Sequence, residues 1–192
     1  DASHGLADEG EAAVEVDDRT MAVVEERPQR LRLLSDFPAE AISDEALAQV
    51  WREVRRMHHL GIAHEGLHDG SFAVDDDGRV WVLGLDRGAF AAPRLRMRLD
   101  GAELLIATAM LVGGERAITA ADRAIGSADL ANLPALMQPI ALNPATRAAL
   151  GAHPELLSTL RDEAIARAPE PSADDVRLER LRPRSVISLV AA

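Results

Sequence analysis

The stretch from Leu60 to Gly88, LGIAHEGLHDGSFAVDDDGRVWVLGLDRG, constrains the fold more than any other part of the chain. It reads as the end of a helix, a tight loop holding His64 and His68, a short strand, a hairpin and a second strand. Asp75-Asp-Asp-Gly78 lies between the apolar runs Phe72-Ala-Val74 and Val80 to Leu85, a strong hairpin signal. Upstream, Ser43 to Leu60 carries the clearest helical pattern. Leu47, Val50, Trp51, Val54 and Met57 recur at helical spacing on one face. Ser43 suits the N-cap, Asp44 and Glu45 suit the positive end of the dipole, and Gly61 supplies the stop.

Downstream, Asp100 reads as the cap of a second helix running to about Val112 and ended by Gly113-Gly114. The rest is helical in short pieces, with Thr119 and Asp129 as caps and with Pro144 and Pro154 at first-turn positions. Met21-Ala-Val-Val24 and Leu31-Arg-Leu-Leu34 flank a turn and read as a two-strand ribbon. The expected fold class is therefore mainly α, of the α+β type, and no internal repeat is visible.

The charge inventory excludes several chemistries. The chain has 192 residues and a net charge of −11, which argues against nucleic-acid binding, because that needs a basic footprint. It has no Cys, so disulfides, thiolate metal sites and a cysteine nucleophile are absent. All 21 basic residues are Arg, which excludes a Schiff-base or phosphate-binding Lys.

The two ends differ from the middle. Residues 1–19 are acidic and read as a disordered arm, followed by one domain over 20–168. Pro169-Glu-Pro171 opens a polar linker over 169–192. There Arg177, Arg180, Arg182 and Arg184 stand before the apolar run Ser185-Val-Ile-Ser-Leu-Val-Ala-Ala192. A basic cluster before an apolar onset is how a cytoplasmic flank enters a membrane helix; the plainer alternative is an ordinary terminal strand or helix.

Within the loop, His58, His59, His64 and His68 with Asp69 invite a metal reading. Gly66 interrupts His64 and His68, and His58 and His59 point apart on a helix, so no metal is expected and His64 is read as a brace. His68 with Asp69 forms a possible general-base pair, but no motif ties a nucleophile to it. Asp75, Asp76 and Asp77 read as a solvated turn, since an EF-hand needs wider spacing. Arg94, Arg96 and Arg98 alternate with apolar residues as if along an extended segment. They offer a surface for a phosphate, a lipid head group or a partner, or else a solvated stripe.

With that order of elements, His58-His-Leu-Gly-Ile-Ala-His64 resembles the lead-in to the catalytic loop of the protein-kinase-like large lobe. The version it looks like occurs in actinobacterial membrane proteins related to the flippase-like, lysylphosphatidylglycerol-synthase-type family. There a kinase-like cytoplasmic segment precedes a polytopic membrane region. The likeness runs from about Met21 to Leu160, with Met21 to Leu34 as a hairpin remnant of the small lobe. It implies that Asp100 bonds the backbone of the loop around His64.

The same resemblance implies a degraded site. It sets Gly66 at the catalytic Asp, Ser71 at the metal-binding Asn and Gly84 at the metal-binding Asp, and no Lys exists to hold the phosphates. The expectation is a non-catalytic pseudokinase-like module without a cofactor, on the cytoplasmic face of a bacterial inner membrane, in a protein handling lipids or lipid-linked substrates. Its partners would be the membrane region of its own chain or a cytoplasmic regulatory protein. A phosphothreonine-binding protein reading Thr20 is one candidate, as is an anionic membrane surface at the C-terminus. Two alternatives stand beside it: a Mg-ATP-dependent phosphotransferase for a small molecule or lipid, using Asp86 for Mg²⁺ and Asp69 as base, and a purely structural helical domain.

Overall fold

A computed structural model describes residues 30–167. The acidic arm, Met21-Ala-Val-Val24, Thr20 and the four Arg from Arg177 to Arg184 lie outside the described residues. Helix α1 (Asp44–His59) begins where Ser43 accepts a hydrogen bond from the Ala46 amide, and it ends at Leu60 before Gly61. Its apolar stripe is buried as the spacing predicts: Leu47, Val50, Trp51 and Val54 are all inaccessible. Each such side chain contributes about 1.5–3 kcal/mol relative to exposure.

Three short strands, β1 (Arg32–Leu33), β2 (Phe72–Val74) and β3 (Val80–Val82), form one antiparallel sheet in the order β1-β2-β3. The hairpin pairs Phe72 with Val82 and Val74 with Val80. Its turn is the Asp75 to Gly78 segment, with Gly78 at φ 78°. Asp75 fastens it: Oδ1 accepts from the amides of Asp77 (3.0 Å) and Arg79 (2.9 Å), and Oδ2 from the Trp81 indole at 2.8 Å. Those bonds leave the carboxylate occupied in a turn.

Among the described residues, Arg32–Leu33 pairs with β2, Arg32 opposite Val74; the other half of the expected ribbon, Met21-Ala-Val-Val24, lies outside them. One expectation needs correction here: the predicted second strand stops at Val82, because Gly84 takes a left-handed conformation (φ 84°) and Leu85–Arg87 forms a 3₁₀ turn.

Helix α2 (Arg94–Val112) starts six residues before Asp100, directly after Pro93. The alternating Arg94, Arg96 and Arg98 therefore occupy its first turns and are not an extended segment. From Ala102 to Val112 nearly every position is buried, whichever way it faces. This half of the helix, buried on every side, shows no single apolar stripe and forms the centre of the domain. Gly113 ends it with φ 85°.

Around α2 stand α3 (Gly114–Ile125), α4 (Ser127–Leu130), α5 (Pro144–Leu150) and α6 (Leu156–Ala166). Ala117, Ile118, Leu130, Met137 and Leu160 complete one core with the α1 stripe and Phe72. Thr119 lies inside α3, bonding the Glu115 carbonyl, so it is no cap. Asp129 likewise lies inside α4. Asn143 does cap α5, accepting from the Thr146 amide at 2.9 Å. Arg116 staples the entry to α1 by donating to the carbonyls of Ala39 and Ile42 and to Asp44. Beside it, the Asp44 carboxyl is held below its usual range, chiefly by that hydrogen bond. Among the described residues no helix is long and apolar enough to cross a membrane.

Candidate functional site

The loop from Ala63 to Ser71 is built on one carboxylate. Asp100 is 1% exposed. Its Oδ2 accepts from the His64 amide (2.6 Å) and from His58 Nε2 (3.1 Å), and its Oδ1 from the Glu65 amide (2.9 Å). A buried carboxylate persists only when it collects donors in this way. Asp100 thus bonds the backbone of the loop at His64 and Glu65 from inside α2, so it is not a helix cap.

Glu65 is held at φ 60°, which is uncommon for a residue with a side chain and marks local strain. Arg96 pins it with an ion pair at 3.2 Å.

The far side of the loop is held by residues that sequence reasoning passed over. The Leu67 carbonyl accepts from Asn143 Nδ2 at 2.8 Å and from the Thr146 hydroxyl at 3.1 Å. Glu103, 4% exposed, accepts from the Asn143 amide at 2.6 Å. Burial pushes the Glu103 carboxyl above its usual range; the bonds from Asn143 pull part of that rise back, and nearby Asp100 adds to it. The Asn-Pro dipeptide was the available signal, since an N-cap has its carbonyl-bonding groups to spare.

The strap from Gly84 to Ala92 closes over the loop. Ala63 and Ala89 exchange two backbone hydrogen bonds, at 2.9 and 2.8 Å. Gly88 is required there, because a Cβ would come within 2.9 Å of Leu85 Cδ1 and 3.0 Å of the Leu85 carbonyl oxygen.

Between loop, strap and the start of α5 lies a cleft of 430 Å³, lined among others by His64, His68, Ser71, Asp86, Arg87 and Asn143. His64 is 2% exposed. It meets the Leu83 carbonyl through Nε2 at 2.9 Å, so Nε2 carries the proton, and Nδ1 is left as a buried acceptor without a donor among the described residues. His68 Nδ1 accepts from the Gly70 amide, and the Ser71 hydroxyl accepts from the His68 amide, both at 3.1 Å. Ser71 thus serves the loop itself.

Gly66 and Gly84 leave space where the resemblance sets carboxylates. A Cβ at Gly66 would meet nothing within 4 Å. A Cβ at Gly84 would stand 3.9 Å from Asp86 Oδ1 and 3.9 Å from His64 Cε1. The Asp86 carboxylate therefore lies beside the vacant side-chain position. Asp69, by contrast, does not line the cleft; it sits next to His68 with its oxygen 3.7 Å from Nδ1. Of the Arg residues, Arg96 reaches the loop, while Arg94 and Arg98 line a different cavity behind α2.

The arrangement suits a divalent cation shared with phosphates. Mg²⁺ is commonly held by one or two carboxylates plus phosphate oxygens rather than by a protein cage. Among the described residues no three His, Asp or Glu side chains converge into such a cage. Asp86 is the candidate carboxylate, the vacancy at Gly84 leaves room, and Arg87 brings a positive charge to the same cleft.

Comparison with known proteins relates part of this chain to a kinase. It is similar to 3-deoxy-D-manno-octulosonic acid kinase of Xylella fastidiosa (strain M23), 29% identical over 75 residues, which is 39% of this chain and 30% of that protein. It is also similar to the protein of the same name from Vibrio cholerae, 32% identical over 63 residues, 33% of this chain and 27% of that protein. The chain thus spans less than a third of the length of these curated relatives. No protein-family model and no solved structure matches it. The kinase names of the relatives overturn the expectation of a non-catalytic module.

Proposed function

We propose that the chain is a kinase-like lobe that transfers phosphate from a Mg²⁺-bound nucleotide to a hydroxyl of a small or lipid-linked sugar. The observation that carries this is the Asp86 carboxylate beside the vacant position at Gly84, against the His64 ring. In phosphoryl transfer the protein positions the groups and stabilises charge. The Mg²⁺ ion, when bound, would neutralise charge on the transferred phosphate, with Asp86 as its protein ligand. Arg87 stands in for the missing Lys as a cation in the cleft.

The His64 ring, fixed through Nε2 to the Leu83 carbonyl, lines the cleft beside the Gly84 position and serves as a positioning group there. Asp69, read from the sequence as the base, is not among the residues lining the cleft.

The relatives' name indicates the acceptor class, an acidic sugar. A lipid-linked acceptor also fits a chain whose Arg177, Arg180, Arg182 and Arg184 precede an apolar run. With few charged groups at the cleft, turnover should be slow, since each missing donor to the transition state costs several kcal/mol, about 3–4.

The test is labelled ATP with Mg²⁺ and 3-deoxy-D-manno-octulosonic acid as acceptor. Label is expected on the sugar with the unaltered chain and not with Asp86→Asn. Equal labelling by the two would remove Asp86 from the mechanism, and labelling by neither would remove this acceptor.

A further inference from the structure

A second cavity, of 720 Å³, lies between α1, the first half of α2 and the segment from Ile125 to Leu133. It shares no lining residue with the cleft at Asp86. Its inner wall is apolar, with Val54, Met97, Leu104 and Leu133. Its mouth is cationic: Arg94 and Arg98 stand one turn apart on the same side of α2, and Arg55, which donates to the Ala124 carbonyl, lines it from α1. Asp129 is the one acidic side chain on the lining among the described residues.

Arg94 and Arg98 differ from their neighbour Arg96. Arg96 is paired with Glu65, whereas neither Arg94 nor Arg98 has an ion pair among the described residues. Two cations without acidic partners thus stand on one rim of the cavity and give it a positive mouth.

The independent sign of a ligand is Trp51. It is 2% exposed and lines this cavity, and its Nε1–H has no acceptor among the described residues. Buried indole N–H groups are almost always satisfied, because leaving one bare costs about 1–3 kcal/mol. The other tryptophan follows that rule, donating to Asp75. Gly101 completes the site by leaving one wall without a side chain; a Cβ there would reach Leu133 Cδ2 at 3.4 Å.

We propose that this cavity binds an anionic group, a phosphate or carboxylate, carried on a short apolar moiety. The oxygens take the Arg94 and Arg98 guanidiniums and the Trp51 N–H, and the apolar part takes the Val54, Met97 and Leu133 wall. The occupant would also touch His58, whose Nε2 bonds Asp100 Oδ2. It therefore lies one side chain away from the carboxylate that holds the His64 and Glu65 amides.

Trp81→Phe leaves Trp51 as the sole fluorophore of a chain with two tryptophans. Octyl phosphate, below its micelle concentration, is titrated against this variant. A saturable change in Trp51 emission is expected, with affinity falling about tenfold or more in Arg94→Glu/Arg98→Glu. Inorganic phosphate should bind about tenfold more weakly; equal affinity would overturn the apolar part of the site.

Trp51→Phe, read by calorimetry, should bind octyl phosphate more weakly, and it tests the N–H without a large change in packing. Asp86→Asn should leave the titration unchanged; a loss there would overturn the separation of the two sites. No saturable change into the millimolar range, or affinity unaffected by the double charge reversal, would overturn the site.

Discussion

Asp100 and Asp75 do the same job in two settings. Each carboxylate gathers two backbone amides and one side-chain N–H, and so fixes a loop. Asp75 does it at the surface, where its turn would also be stabilised by water and by Gly78. Asp100 does it in the interior, where its donors have no other acceptor. The surface carboxyl is pulled below its usual range, mainly by the Trp81 bond. Glu103, the buried neighbour of Asp100, is pushed above, mainly by burial. A local turn is thus secured by adjacent sequence, while the loop at the cleft depends on residues from α2 and α5.

The largest expected effect breaks the interior member. Asp100→Asn places an amide NH₂ against donors that have no other acceptor, and should cost about 3 kcal/mol of stability by urea unfolding. A loss no greater than that of Asp75→Ala would remove the contrast.

Glu103→Gln sharpens it, because the amide keeps an acceptor for the Asn143 N–H without a charge. Glu103 has a folded-state pKa above its unfolded value, near 4.5, so its favourable contribution is present below that value and fades as pH rises. From pH about 4 to 8 the unaltered chain should therefore lose stability relative to Glu103→Gln. Parallel pH curves would contradict the burial argument.

Asp75→Ala should give the smallest effect, a modest fall in the unfolding midpoint with the cleft intact. Its pH dependence has the opposite sign. A depressed carboxyl contributes above its unfolded pKa, and the contribution is lost as pH falls.

That contrast also explains what the sequence could reveal. Helix α1 and the Asp75–Gly78 hairpin were legible because cap, stripe and turn residues lie within a few positions of what they organise. The start of α2 was not, because in its exposed first turns Arg94, Arg96 and Arg98 imitate an alternating strand, and from Ala102 on the helix is buried on every side and shows no period. Asn143, Thr146 and Glu103 were missed as loop anchors, since their bonds to Leu67 and the bond between Glu103 and Asn143 span 40 to 79 residues. Asp100 beneath His64 was reached through the family resemblance, as local pattern made it a cap. The demotion of Asp69 and the open acceptor on His64 needed the folded loop.

The central claim is that Asp86 supplies the charge missing at Gly84, and nucleotide binding tests it most directly. Calorimetric titration of the unaltered chain with ATP should show saturable binding that requires Mg²⁺. Asp86→Asn should abolish the Mg²⁺ dependence while leaving the melting temperature without ligand unchanged, because this exposed carboxylate makes no bond to the fold among the described residues. Binding indifferent to Mg²⁺, or identical in the two proteins, would contradict the account.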